Sequence, residues 1–277
     1  MITRTDFSLI DAEIKNCVQR TFTELKEYNI NHYALFLSEA DYNEEYEGPA
    51  SKFNPNVIDS RTDRYEDETR LQFLTTFLSD FYKFPPSQIA TKDDFQQLNV
   101  ELMIYTHIWE SKPFLKKMYR LAHLINRENY AWKVNIPPMG KHKFIINDIR
   151  KTFEDNKNNL CEIIRNGFHT SLRNAFAHSE YSFDEMNGNK RILLYNYGGD
   201  DSWELKDISF DVWSRRFVYS ALLSYHLLDL LYKKRKELVE ETGNTSFQIK
   251  HPKKTSGFDY LWINYDKERD GFSFANN

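Results

Sequence analysis

Along the first ninety residues, apolar positions recur every three or four residues. Phe7, Ile10, Ile14, Cys17, Val18, Phe22 and Leu25 share one face of a helix over about 5–27, which Thr5 or Asp6 would cap. A shorter helix follows over about 31–40. The acidic stretch DYNEEYEGPASKFNPNVIDS (41–60) is broken by Gly48, Pro49 and Pro55 and reads as a loop. Helical spacing returns over 66–83 and stops before Pro85 and Pro86, where a missing amide hydrogen and a ring clash end a helix.

A second group of helices starts near Lys92. Asp93 or Asp94 caps one that runs through about Trp109, and Pro113 suits the first turn of another through about Asn129. WKVNIPPMGKHK (132–143) separates these from helices predicted at 143–156 and 158–180. The period then changes: ILLYNY, GGDD and SWELKDISF over 191–213 alternate around a Gly-Gly turn, as a β-hairpin does. An apolar helix runs from about Asp211 to Glu240, with Val218, Leu222, Tyr225, Leu228 and Tyr232 along one face. FDYLWINYDKERDGFSF (258–274) reads as a second hairpin turning at DKERDG. The fold class is therefore mostly α: an N-terminal helical region of unknown role (1–90), an antiparallel helical bundle (91–245) with a hairpin at about 191–210, and a tail with its own hairpin (246–277).

Composition narrows the class. Nine Gly and eight Pro in 277 residues favour long helices over a many-turned β fold. Cys17 and Cys161 fit neither a disulfide framework nor zinc-ligand spacing and read as buried small apolar residues. No apolar h-region opens the chain and no stretch approaches the roughly 20 apolar residues that span a bilayer, so a cytoplasmic protein without membrane contact is expected. The net charge of −4 argues against a strongly basic nucleic-acid binder, yet it hides an asymmetry. Residues 1–50 hold 10 acidic and 4 basic side chains, whereas residues 112–143 hold 8 basic and one acidic, Glu128. The second stretch is either a phosphate-attracting track or a solvated face.

The segment with most chemistry is LCEIIRNGFHTSLRNAFAHSEYSF (160–183). Read as one helix, it buries Leu160, Ile164, Phe168, Leu172, Ala175 and Phe176. Asn174 and His178 then lie on one flank, about 40 degrees apart, with Arg173 farther round. His169 and Arg165 precede Arg173 by one and two turns, forming a polar ridge. Arg beside His suits phosphodiester cleavage. A neutral imidazole exchanges a proton with a ribose 2′-hydroxyl or a leaving oxygen, and a guanidinium stabilises charge on the phosphoryl oxygens. An Asn amide orients either group. In a chain with 15 Arg and 8 His, an Arg-x4-His spacing arises by chance about 0.4 times, so the spacing alone carries little weight. A helix-border histidine commonly satisfies a backbone carbonyl or a carboxylate instead.

SLRNAFAHSEY (171–181) resembles the signature of HEPN domains, in which Arg and a following polar residue precede His after a short gap. Arg173, Asn174 and His178 match it position for position. The likeness covers about 93–240, and the hairpin at 191–210 resembles an insertion seen in some bacterial members. The resemblance implies a HEPN-like bundle and a metal-independent endoribonuclease, without cofactor, acting as a toxin or in antiviral (phage) defence. It also implies a homodimer that sets two motifs across a shared cleft, an RNA substrate, and a regulatory or antitoxin protein as a further partner. Arg173, Asn174 and His178 would be catalytic, with Arg165 and His169 as substrate contacts. One departure concerns Tyr181: it follows His178 by three positions, whereas toxins modified by a nucleotidyltransferase carry tyrosine two after the histidine. Packing is the expected role of Tyr181.

The rival reading is a non-catalytic HEPN-like module for dimerisation or partner binding. His107 and His123 lie in apolar patterns and read as core-edge histidines. Trp109-Glu110-Ser111-Lys112-Pro113 marks a helix junction without an assignable chemistry. The KKRK run (233–236) reads as a solvated helix terminus, and Gly198-Gly199 as a hairpin turn rather than a phosphate loop.

Overall fold

The computed structural model describes residues 2–59, 61–82, 94–184, 190–195 and 205–275. It is mostly helical, with small antiparallel sheets. Helix α1 (Arg4–Tyr28) follows the expected apolar face, and its buried side chains include Ile10, Ile14, Val18, Phe22 and Leu25. Its cap is Thr3 rather than Thr5 or Asp6, because the extended Thr3 backbone lets its hydroxyl accept the Asp6 N–H at 3.1 Å. Asn29 then caps α2 (Ile30–Leu37). The 41–60 stretch is a loop in the main, stapled by a two-residue pairing of β1 (Asp41–Tyr42) with β2 (Asn56–Val57). Helix α3 spans Arg61–Phe81, and the stop expected before Pro85 lies outside the described residues.

Helix α4 (Asp94–Glu110) leads into α5 (Lys112–Ile125), with Pro113 in its first turn as the sequence predicts and Ser111 as its cap. Next come α6 (Lys141–Lys143), a π-helical stretch over Phe144–Arg150, and α7 (Lys151–Asp155). The helix predicted over 158–180 is two helices, α8 (Leu160–Gly167) and α9 (Thr170–Ala177). Strands β3 (Tyr181–Asp184), β4 (Arg191–Leu194) and β5 (Asp207–Ser209) form one antiparallel sheet. The β4–β5 pair is the hairpin expected at 191–210, its Gly-Gly turn lying outside the described residues, while β3 was not anticipated.

Helix α10 (Phe210–Thr242) is the axis of the molecule. At 33 residues it is about 50 Å long, and α1, α2, α3, α4 and α8 all pack along it. One continuous core runs from Ile10 through Trp109, Ile164 and Trp213 to Phe272, so residues of the first ninety and of the bundle share it. The tail forms a three-stranded sheet, β6 (Ser246–Pro252), β7 (Phe258–Asp266) and β8 (Gly271–Phe274). The β7–β8 hairpin turns where expected, and β6 adds a strand. Both cysteines are free and buried. Among the described residues no helix is long and apolar enough to cross a membrane.

Charge explains why the acidic start and the basic middle of the chain occur together. Lys117 is buried and pairs with Glu39 at 2.8 Å and with Asp67. Arg235, fully buried, pairs with Glu39 and donates to the Leu37 carbonyl at 2.8 Å. Arg120 and Lys116 both hold Asp41, and Lys133 pairs with Glu47 at 3.3 Å. Burial pushes the Glu39 carboxyl up, but Lys117 and Arg235 outweigh it and hold its pKa at about 2. Five of the eight cations in 112–143 are thus ion-paired, Lys141 included, so carboxylates neutralise most of the charge of this stretch, while Lys112, Arg127 and Lys143 are exposed. Arg235 also corrects the solvated reading of KKRK: Lys233 and Lys236 are exposed, whereas Arg235 points into the core because it falls on α10's buried face.

Candidate functional site

The break between α8 and α9 shapes everything around it. Phe168 and His169 adopt extended backbone, which ends one helix and starts the next. Such a break inside a core leaves helix-end N–H and C=O groups that need partners, and several are supplied from distant elements. The Tyr105 hydroxyl on α4 accepts the His169 N–H at 2.9 Å. Arg216 on α10 donates through Nη1 to the carbonyls of Arg165 at 3.1 Å and Phe168 at 3.0 Å. The His169 imidazole is the N-cap of α9, its Nδ1 accepting the Ser171 N–H at 3.2 Å. Gly167 permits the close approach of α8 to α10, since a Cβ there would meet the Ser220 hydroxyl at 3.0 Å.

On α9, Arg173 and Asn174 are half-buried and joined: Arg173 Nη1 donates to Asn174 Oδ1 at 2.7 Å. Arg173 Nη2 pairs with Glu110 at the end of α4, and Lys141 pairs with the other oxygen of that carboxylate. The Arg173 side chain keeps 14% of its surface exposed, while its Nε is buried and has no hydrogen-bond partner among the described residues. Burial lowers the pKa of neighbouring His142, and the charges of Lys143 and Arg173 lower it further. Burial also lowers the pKa of Arg216, opposed only by Tyr105.

His178 ends the same helix. Ser179 at φ 58 takes the left-handed turn that closes α9, with the Ser179 N–H bonding to Phe176 O and the Glu180 N–H to Ala175 O. The His178 imidazole at this cap is exposed and has no hydrogen bond to a described residue. Five positions separate it from Arg173, about 140 degrees around the helix, and the two side chains do not touch within one chain. Tyr181 packs edge-on against Phe176, its hydroxyl near Asn99 Oδ1 at 3.4 Å.

The structure therefore brings Arg173 and Asn174 together and leaves His178 open beside them, but it does not form the expected ridge. Arg165 stands across the break on α8, ion-paired with Glu154 at 3.0 Å and with Glu162, and His169 serves as a cap. The ridge fails because it assumed one unbroken helix. Glu110 is marked in the sequence only as part of a junction cluster, and Tyr105, His142 and Arg216 are not marked there as site residues. No local signal marks the last three, because their relation to α9 comes from packing across 27 or more residues. Among the described residues no group of three or more His, Cys, Asp or Glu is placed to hold a metal ion.

Chemically, the arrangement offers an exposed proton-exchanging imidazole, a fixed guanidinium with spare donors, and an amide that holds the guanidinium's orientation. Comparisons with protein-family models, with curated proteins and with solved structures return no match.

Proposed function

We propose that this chain is a metal-independent endoribonuclease of the HEPN type, used in phage defence or as a regulated toxin, with α9 as its catalytic helix. The observation that carries this reading is the exposed, unbonded His178 imidazole one turn beyond the hydrogen-bonded Arg173–Asn174 pair. A structural histidine at a helix end ordinarily finds a carbonyl or carboxylate, and His178 has neither among the described residues.

His178 takes the proton of a ribose 2′-hydroxyl, the resulting oxygen attacks the adjacent phosphorus, and the 5′-oxygen leaves with a proton from a second acid. The products are a 2′,3′-cyclic phosphate and a 5′-hydroxyl. Arg173 stabilises the phosphoryl charge through donors that Glu110 and Asn174 leave free, and Asn174 fixes its plane. Within one α9 the Arg and His diverge. A second copy packed with its α9 antiparallel completes the site, its own His178 providing the acid. Glu110 positions Arg173, and His142 lies beside it as a further contact for the strand.

One observation favours a non-catalytic binding module instead: Arg173 is largely buried and ion-paired with Glu110, as a purely structural arginine would be. Incubating purified protein with total RNA and with a defined tRNA in EDTA separates the two. The nuclease reading expects cleavage with cyclic-phosphate ends that disappears in both Arg173→Ala and His178→Ala. Cleavage that survives both substitutions moves the site elsewhere. A stable dimer inactive on every RNA, alone and with cell extract added, favours the binding module.

A further inference from the structure

The C-terminal sheet carries a feature that α9 does not use. On β7, Phe258, Tyr260 and Trp262 alternate on the solvent side and keep 53%, 68% and 51% of their surface exposed. Alternate strand residues point the same way about 7 Å apart, so the rings form a row along one face. The opposite face of the sheet is core: Phe247, Ile249, Ile263 and Phe272 are buried.

Register identifies the rest of the outer face. Gln248 lies opposite Trp262, Lys250 opposite Tyr260, and Ser246 and Ser273 flank Asn264. Lys250 Nζ sits 4.3 Å from the centre of the Phe258 ring and bonds Asn129 Oδ1 at 3.3 Å. The turn beyond Phe258 is Lys253-Lys254, and Arg127 stacks on Tyr28 two residues before Asn129. Among the described residues Lys250, Lys254 and Arg127 have no carboxylate partner. Lys253 pairs with Asp259, and Asp266 at the far end of the row is paired with Arg269.

The outer face therefore consists mainly of rings, amides, hydroxyls and cations without a carboxylate partner among the described residues, with Pro252 opposite Phe258 at one edge. The centre of a protein–protein interface is depleted of lysine, whereas a single-stranded nucleic acid is held by flat rings for its bases, lysines and arginines for its phosphates, and amides or hydroxyls for its sugar and base edges. We infer that the outer face of β6–β8 is a docking platform for single-stranded RNA, on which Tyr260 and Trp262 stack bases and Lys250, Lys254 and Arg127 contact phosphates. The choice of RNA over DNA rests on the proposed nuclease reading. The platform lies at the far end of α10 from α9. Arg216 and Thr242 are about 40 Å apart along that helix, so the face acts as an anchor that holds a strand at a distance from the catalytic helix.

Binding is measured on the His178→Ala protein, so that cleavage does not enter, by fluorescence anisotropy with a labelled single-stranded RNA of about 15 nucleotides. Each ring removed is expected to weaken binding about tenfold, so Tyr260→Ala/Trp262→Ala loses about a hundredfold. Trp262→Phe keeps most of the affinity, and Lys250→Gln lowers the slope of log affinity against log salt by about one. In a Trp203→Phe background RNA quenches the Trp262 fluorescence, the other three tryptophans being buried. Tyr260, Trp262 and His178 are exposed and Lys250 is half-buried, and unchanged circular dichroism and melting confirm that each variant is folded. Affinity unchanged in the double variant overturns the proposal. So does single-stranded DNA bound as tightly as RNA, or a double variant whose only effect is to dissociate a dimer, which would make the face a contact between copies. RNA bound on this face by a protein that cleaves nothing leaves the platform standing and sinks the nuclease reading. Cleavage with no effect of the ring substitutions does the reverse.

Discussion

Two charge clusters in this molecule use the same residue types to opposite ends. Around Glu39, two cations meet two carboxylates in the core, and the surrounding carbonyls take up the remaining Arg235 donors. Around α9, among the described residues, Arg173 and Arg216 each keep a buried Nε without a hydrogen-bond partner, one carboxylate serves Arg173, and His178 is left open. The first cluster ties the acidic N-terminal segment to α5 and α10 and pairs each of its charges with an opposite one. The second is under-satisfied in a region where the chain breaks a helix to place it. Unpaired donors held rigidly near an exposed base are what a site for an anionic substrate requires, whereas a structural cluster closes on itself.

The largest expected effect breaks the first cluster. Lys117→Met leaves Glu39 and Asp67 buried with less positive charge, and urea denaturation should show a loss of about 3–5 kcal/mol. A loss below about 1 kcal/mol would mean that water reaches these carboxylates.

Next in size is Glu101, which sits on α4 nine residues before Glu110 and contrasts with both clusters. It is buried and accepts hydrogen bonds from Tyr82 at 2.7 Å, Gln97 at 2.8 Å and Trp213 at 2.9 Å, with no side-chain cation paired to it among the described residues. Burial raises its pKa to about 7 against these hydrogen bonds. Between its ordinary value of 4.5 and about 7 the folded protein keeps a proton that the unfolded chain releases. Its contribution to stability is therefore full below pH 4.5 and is lost as pH rises to about 7, by about 3 kcal/mol. Glu39 works in the opposite sense, stabilising above pH 4.5 and losing that contribution as pH falls toward 2. Denaturation at pH 5 and pH 8 should show the Glu101 loss, and Glu101→Gln should flatten it. A slope that survives Glu101→Gln assigns the effect to other groups.

Much of the helical skeleton is legible in the chain. The three-and-four spacing of Ile10, Ile14, Val18 and Phe22 fixes α1, and Pro113 marks the first turn of α5, because these signals are local. The break at Phe168–His169 is not legible, since the apolar stripe continues across it and its cause lies in Tyr105 and Arg216. The fate of the basic stretch 112–143 is equally hidden: its partners Glu39, Asp41 and Asp67 are 50 to 80 residues away, and only folding joins them. Of the candidate residues, Arg173, Asn174 and His178 share one short helix, as the motif suggests. Arg165 and His169 were placed by a continuity that the chain does not have.

The smallest expected change in stability belongs to His178, and it tests the central claim most directly. His178→Ala should alter the free energy of unfolding by less than about 0.5 kcal/mol, because the side chain is exposed and unbonded. The same variant should lower the single-turnover rate of RNA cleavage in EDTA by about 10²-fold or more. Both measurements on one preparation give the answer. Unchanged stability with cleavage abolished is the predicted result, whereas unchanged cleavage, or cleavage lost only together with the fold, contradicts a catalytic α9.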